Sequence, residues 1–138
     1  MAIIIESDNK MEHIPSKVVD VKNLDRDAVK SLMLNAGLWP FLRMRPIDVI
    51  ANPKDTPKSI FISSFDSNPL APDNDFIFDG KDAEFNAGLE MLGMLTDGTV
   101  HLQTRPNSSP VFKNAPGVQV NTVNGVHPAG NVGVQMHH

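Results

Sequence analysis

Four segments beyond residue 58 constrain the architecture more than anything else in this chain: Ser59–Phe65, Lys81–Thr96, Thr99–Thr104 and Gly117–Val123. Ser59-Ile60-Phe61-Ile62-Ser63-Ser64-Phe65 has a near-continuous apolar centre, which a strand covered on both faces requires. In Lys81–Thr96, the residues Ala83, Phe85, Leu89, Met91, Leu92 and Leu95 fall mostly at helical spacing, and Asp97-Gly98 ends the helix. Thr99–Thr104 alternates apolar and polar residues as a strand does, and Gly117–Val123 supplies another. Strand, helix, strand is a βαβ unit, for which parallel pairing and a right-handed crossover are the default. The expected fold is α/β, a small layered domain with a mostly parallel sheet, Rossmann-like in plan.

Upstream, Val29, Leu32, Met33 and Ala36 make an apolar stripe at helical period, with Asp25 placed as N-cap and Gly37 as the stop. Leu38–Pro46 carries two prolines that prevent a regular helix, and its large apolar residues ask for burial against the core. Trp39 and the set Met33, Met44, Met91 and Met94 read as core. Residues 51–58 read as a loop. Ala2–Ile5 and Val18–Val21 read as short extended pieces that cannot build a sheet alone. The expected division is an extended segment over 1–24, continuing from a preceding domain, and an α/β domain over 25–138 that is truncated at its C-terminal end.

Of the 138 residues, 41% are hydrophobic, enough for one domain core, and no apolar stretch approaches the roughly 20 residues of a membrane-spanning helix. A net charge of −4 argues against nucleic-acid binding, which needs a basic surface. There is no cysteine, so the chain has no disulfide, no thiol nucleophile and no cysteine-held zinc or iron–sulfur site. The five histidines show no metal-ligand spacing, and no serine sits in a nucleophile elbow. Neither Gly-x-Gly-x-x-Gly nor a phosphate loop follows a strand; after Phe65 comes Asp-Ser-Asn-Pro-Leu.

In an open parallel sheet, ligands bind at the carboxyl ends of the strands. That places 65–68, 104–107 and 124–133 around one crevice. The candidate ligand residues are Phe65, Asp66, Asn68, Arg105, His127, Gly130 and Gly133. Asp66, Arg105 and His127 would do the polar work, and the two glycines would let another backbone or a ligand approach closely. The alternative is local: Asp66 and Asn68 cap turns, Arg105 is a solvated strand end, and the glycines turn the chain.

Three motifs in order carry a family resemblance: Ala36-Gly37-Leu38-Trp39-Pro40-Phe41-Leu42-Arg43-Met44-Arg45-Pro46, Thr56 through Ala71 with its Ser63-Ser64-Phe65-Asp66-Ser67-Asn68-Pro69 centre, and His127-Pro128-Ala129-Gly130-Asn131-Val132-Gly133-Val134-Gln135-Met136-His137-His138. From about Val18 onward the chain resembles the A subunit of the bacterial sodium-translocating NADH:quinone oxidoreductase. The resemblance implies a middle piece of a longer subunit, with His137-His138 as native sequence. It implies an α/β domain similar to the flavoprotein subunit of respiratory complex I, peripheral on the cytoplasmic face of the inner membrane through partner subunits, especially a membrane-embedded one. It further implies a part in quinone reduction coupled to sodium export, with quinone as a candidate ligand, no cofactor in this chain, and flavin and iron–sulfur centres in the partners. A free-standing flavin- or nucleotide-binding enzyme domain is the alternative function, and a purely structural scaffold the third.

Overall fold

The computed structural model describes residues 3–4, 6–13 and 19–137. Both ends of the Ala2–Ile5 run, Val18 of the second extended piece and His138 lie outside the described residues. Of that second piece, Asp20 is extended but Val21–Asn23 is a 3-10 turn capped by the Asp20 carboxylate, not a strand.

Helix α1, Arg26–Asn35, starts where Asp25 accepts the Ala28 N–H at 2.8 Å. It stops because Gly37 takes a φ of +70°, which lets Leu38 N–H reach Met33 O and Gly37 N–H reach Leu34 O. Val29 and Met33 of the expected stripe are buried and Leu32 half-buried, while Ala36 is the exposed C-cap. The proline-bracketed segment then divides. Trp39 is buried in a 3-10 turn, Trp39–Phe41, and its Nε1–H donates to Ala51 O at 2.7 Å, whereas Phe41 is 80% exposed.

Two short strands unread in the sequence follow: β1, Arg43–Met44, pairs antiparallel with β2, Val49–Ile50, as a hairpin. Asp48 at its turn accepts from Arg43 Nε at 3.3 Å and faces Arg45 Nη1 at 3.5 Å. Met44, expected in the core, lies on this hairpin and is exposed, because both hairpin strands stand clear of the helix-packed core.

The main sheet has β3, Ile60–Ser63, then β4, Val100–Thr104, then β5, Gln119–Thr122, all parallel in that order. Between β3 and β4 run α2, Asn74–Ile77, and α3, Asp82–Met94; α4, Pro110–Lys113, joins β4 to β5, and α5, Val132–His137, follows β5. The α/β plan and the parallel pairing are as expected. Two details differ. All four β3 residues are half-buried rather than fully covered, since β3 is an edge strand. In β4 every residue but half-buried His101 is buried, polar ones included, because β4 has a neighbour on each side.

Alternation sends Ile60 and Ile62 to the helix side, where two clusters make the core. One joins Val29, Met33, Trp39 and Leu95; the other joins Leu89, Leu102, Phe112 and Ala115. Phe78, Phe85 and Phe112 meet edge to face with centroids 5.1–5.7 Å apart. The opposite side carries Phe61 stacked on His101 at 4.6 Å.

Candidate functional site

The chain leaves β3 through a segment held by its own polar groups. Ser63 Oγ–H donates to Phe65 O at 2.8 Å, and Asn74 Nδ2 of α2 donates to Ser64 O at 2.9 Å. Asp66 Oδ1 accepts from both the backbone N–H and the Nδ2 of Asn68, at 2.9 and 2.8 Å. These bonds favour the ionised carboxylate, the Asn68 backbone first, and with the Ser67 N–H and nearby His127 they hold the Asp66 carboxyl below its ordinary value despite slight desolvation. The local reading of Asp66 and Asn68 as a turn-forming pair is therefore what the geometry contains. Arg105, by contrast, is no free strand end: its guanidinium lies 4.7 Å from the centre of the buried Phe65 ring and donates to Asp66 O at 2.7 Å.

Ser67 joins this segment to the loop after β5. Its Oγ accepts the Gly130 N–H at 2.9 Å and is paired with His127 Nδ1 at 3.1 Å. Gly130 is buried, and a Cβ there would sit 2.4 Å from Ser67 N and 3.0 Å from Asp66 C, so only glycine fits. The approaching segment is protein backbone. Gly133 differs: a Cβ would meet only the Arg45 guanidinium, 3.5 Å from Nη1, an ordinary contact. No protein backbone approaches Gly133 in the way Ser67 approaches Gly130, because Gly133 is on the exposed side of α5 and not in the loop packed on Ser67. From α5, the buried Gln135 reaches back, its Nε2 donating to Ser63 Oγ at 3.1 Å and to Ala129 O at 2.8 Å.

These elements frame a cleft of about 620 Å³ at the carboxyl end of β3. Phe65, Asp66, Gly130 and Gly133 line it, together with Arg45 and Asp48 of the hairpin, Ser63, and Asn74. Asn68, Arg105 and His127 are not on its lining; each bonds a residue of the wall or of the segment that forms it. The lining combines a guanidinium, two carboxylates, a hydroxyl and two amides with apolar Phe65, Val132 and Val134, so it offers donors and acceptors to a partly apolar guest. Another cleft, about 690 Å³, runs between α3 and residues 19–22 and contains none of the expected residues. Position decides between them, since only the first opens at strand carboxyl ends.

Arg45, Asp48, Ser67, Asn74 and Gln135 were not singled out in the sequence. Arg43-Met44-Arg45 between Pro40 and Pro46 was the available signal for the hairpin; Gln135 and Asn74 act through bonds spanning many residues and left none. Among the described residues no group of three or more His, Asp or Glu is gathered to hold a metal ion, and no helix is long and apolar enough to cross a membrane.

Fold and cleft together define a small α/β domain with a cleft at the strand carboxyl ends, built on a parallel sheet without the dinucleotide glycine loop. The particular kind follows from comparison with known proteins. A family model described as the NqrA second alpha/beta domain matches residues 24–138. The chain is 40% identical over 119 residues to the A subunit of the Na(+)-translocating NADH-quinone reductase of Alcanivorax borkumensis, covering 86% of this chain and 26% of that one. Against the same subunit from Serratia proteamaculans it is 38% identical, covering 94% and 29%; against that from Aliivibrio salmonicida, 32%, covering 100% and 31%. The chain belongs to the NqrA family, and it spans less than a third of the length of these relatives.

Proposed function

We propose that this chain works as the α/β domain of one subunit of a sodium-translocating NADH:quinone reductase, docking to other subunits and holding quinone in the cleft between the β1–β2 hairpin and α5. The observation carrying this reading is the coincidence of a family match over residues 24–138 with a partly polar cleft at the carboxyl end of β3. Residues 25–138 form the binding unit, and 1–24 lead into it. In the assembled complex the electrons come from NADH through flavin and iron–sulfur centres of partner subunits, sodium is exported, and this domain sits peripherally on the cytoplasmic face of the inner membrane, next to a membrane-embedded partner. Its own residues bind and orient: Arg45 and Asn74 donate to the carbonyl oxygens of the guest, and Phe65 packs against its ring.

The test is an NMR titration of the isotope-labelled chain with a water-soluble quinone, and separately with FMN and with NADH. Saturable shifts with quinone alone, centred on Arg45, Ser63, Asp66 and Gly130, are the expected result. Saturable shifts with FMN or NADH instead would replace this reading by a flavin- or nucleotide-binding domain. No shift with any of the three would remove quinone binding and leave docking alone.

A further inference from the structure

Two hydroxyl groups deep in the sheet have no hydrogen-bond partner among the described residues. Thr104 is 0% exposed and Ser64 6%, and both Thr104 Oγ1 and Ser64 Oγ are unpartnered. The parallel register sets Ser63 beside Gln103, and Ser64 N–H continues it by donating to Gln103 O at 2.9 Å, so Ser64 stands next to Thr104 on the neighbouring strand. Alternation puts Ser64 on the side of Ile60 and Ile62, and Thr104 on the side of Leu102, which is the face packed by helices. The start of α2 bridges from this pair to α4: Asn74 Nδ2 donates to Ser64 O, and Asp75 Oδ1 accepts the Ser109 N–H at 2.8 Å. Ser109 Oγ is a third buried, unpartnered hydroxyl oxygen.

Buried hydroxyls give up hydrogen bonds to solvent on folding, and native proteins satisfy such groups with an internal water where two to four polar atoms converge. We propose that the Ser64 and Thr104 hydroxyls bind one internal water at the carboxyl ends of β3 and β4. The chemistry selects water over an ion. Hydroxyls are neutral and can each donate or accept, whereas the carboxylates that flank this region, Asp66 and Asp75, already accept backbone N–H groups of Asn68 and Ser109. The site is separate from the cleft guest, though joined to it through Asn74, which lines the cleft and bonds Ser64 O.

A crystal structure of this chain fine enough to show internal waters tests it. A density peak about 3 Å from both Ser64 Oγ and Thr104 Oγ1 is the expected result. In solution, Ser64 and Thr104 amides should show cross-peaks to a long-lived water, and the double variant Ser64→Ala with Thr104→Val should lose them. Thr104→Ser, which keeps the hydroxyl, should retain them and serves if the double variant does not fold. Empty density with both hydroxyls donating to main-chain carbonyls, or cross-peaks unchanged in the folded double variant, would overturn the proposal.

Discussion

On the helix-covered face of the sheet, Phe112 interlocks with Phe78 and Phe85 and shares one apolar cluster with Leu89 and Leu102. At the carboxyl ends of the strands the contacts are single directional bonds: Gly130 to Ser67, Arg105 to Asp66, Gln135 to Ser63 and Ala129. The first region is stabilised by area removed from water, which is non-directional and tolerates exchange of one apolar shape for another. The second fixes positions, and losing one atom there shifts a wall of the cleft while the core persists. A substitution should therefore report which region it touches by whether it changes stability or placement.

The largest effect belongs to the core. Phe112→Ala should lower the unfolding free energy by about 3–5 kcal/mol in urea, since Phe112 is 1% exposed; a loss under about 1 kcal/mol would break the division between the regions. Gly130→Ala comes next. Its Cβ would force the 124–131 loop off Ser67, costing about 1–3 kcal/mol and moving the Ser67 and His127 amide signals, and unmoved signals would contradict the close packing. Asp25→Ala removes the α1 cap at about 1 kcal/mol and should leave the cleft amides where they are.

Gly133→Ala sharpens the contrast with Gly130. With ordinary space around it and a helical position, it should change stability by less than about 1 kcal/mol, in the stabilising direction; a marked destabilisation would mean α5 packs more tightly on Arg45. The smallest effect is the titration of Asp66. Its folded value lies below the ordinary 3.8, so its contribution is complete above that value and is lost as pH falls through the folded one. The Asn68 amide should titrate with a midpoint below 3.8. A midpoint at or above it would break the Asp66–Asn68 turn.

The same contrast separates what is legible in the sequence from what is not. Helical periodicity found α1 and α3 because a helix packed on a sheet repeats its apolar side chains, and Asp25 and Gly37 marked the ends of α1 by local chemistry. Parallel pairing came from the order of elements. The hairpin escaped because strands of two exposed residues have no buried face to impose alternation. Helices α2, α4 and α5, of four, four and six residues, are too short to show a period. At the cleft, Phe65, Asp66, Gly130 and Gly133 followed from the rule that strand carboxyl ends frame crevices, but Arg45 and Asp48 arrive from a hairpin well upstream of β3. Gly130 and Gly133 look alike in sequence, and only the tertiary neighbour, Ser67 backbone or Arg45 side-chain tip, distinguishes them.

The most direct measurement is the quinone titration repeated on Gly130→Ala beside Asp25→Ala, a cap variant at the start of α1 with comparable loss of stability. Asp25→Ala should keep saturable quinone shifts at Arg45, Ser63 and Asp66, and Gly130→Ala should stay folded and lose them. Equal binding by both variants would contradict quinone binding in this cleft, because the wall that Gly130 positions would then be irrelevant to the ligand.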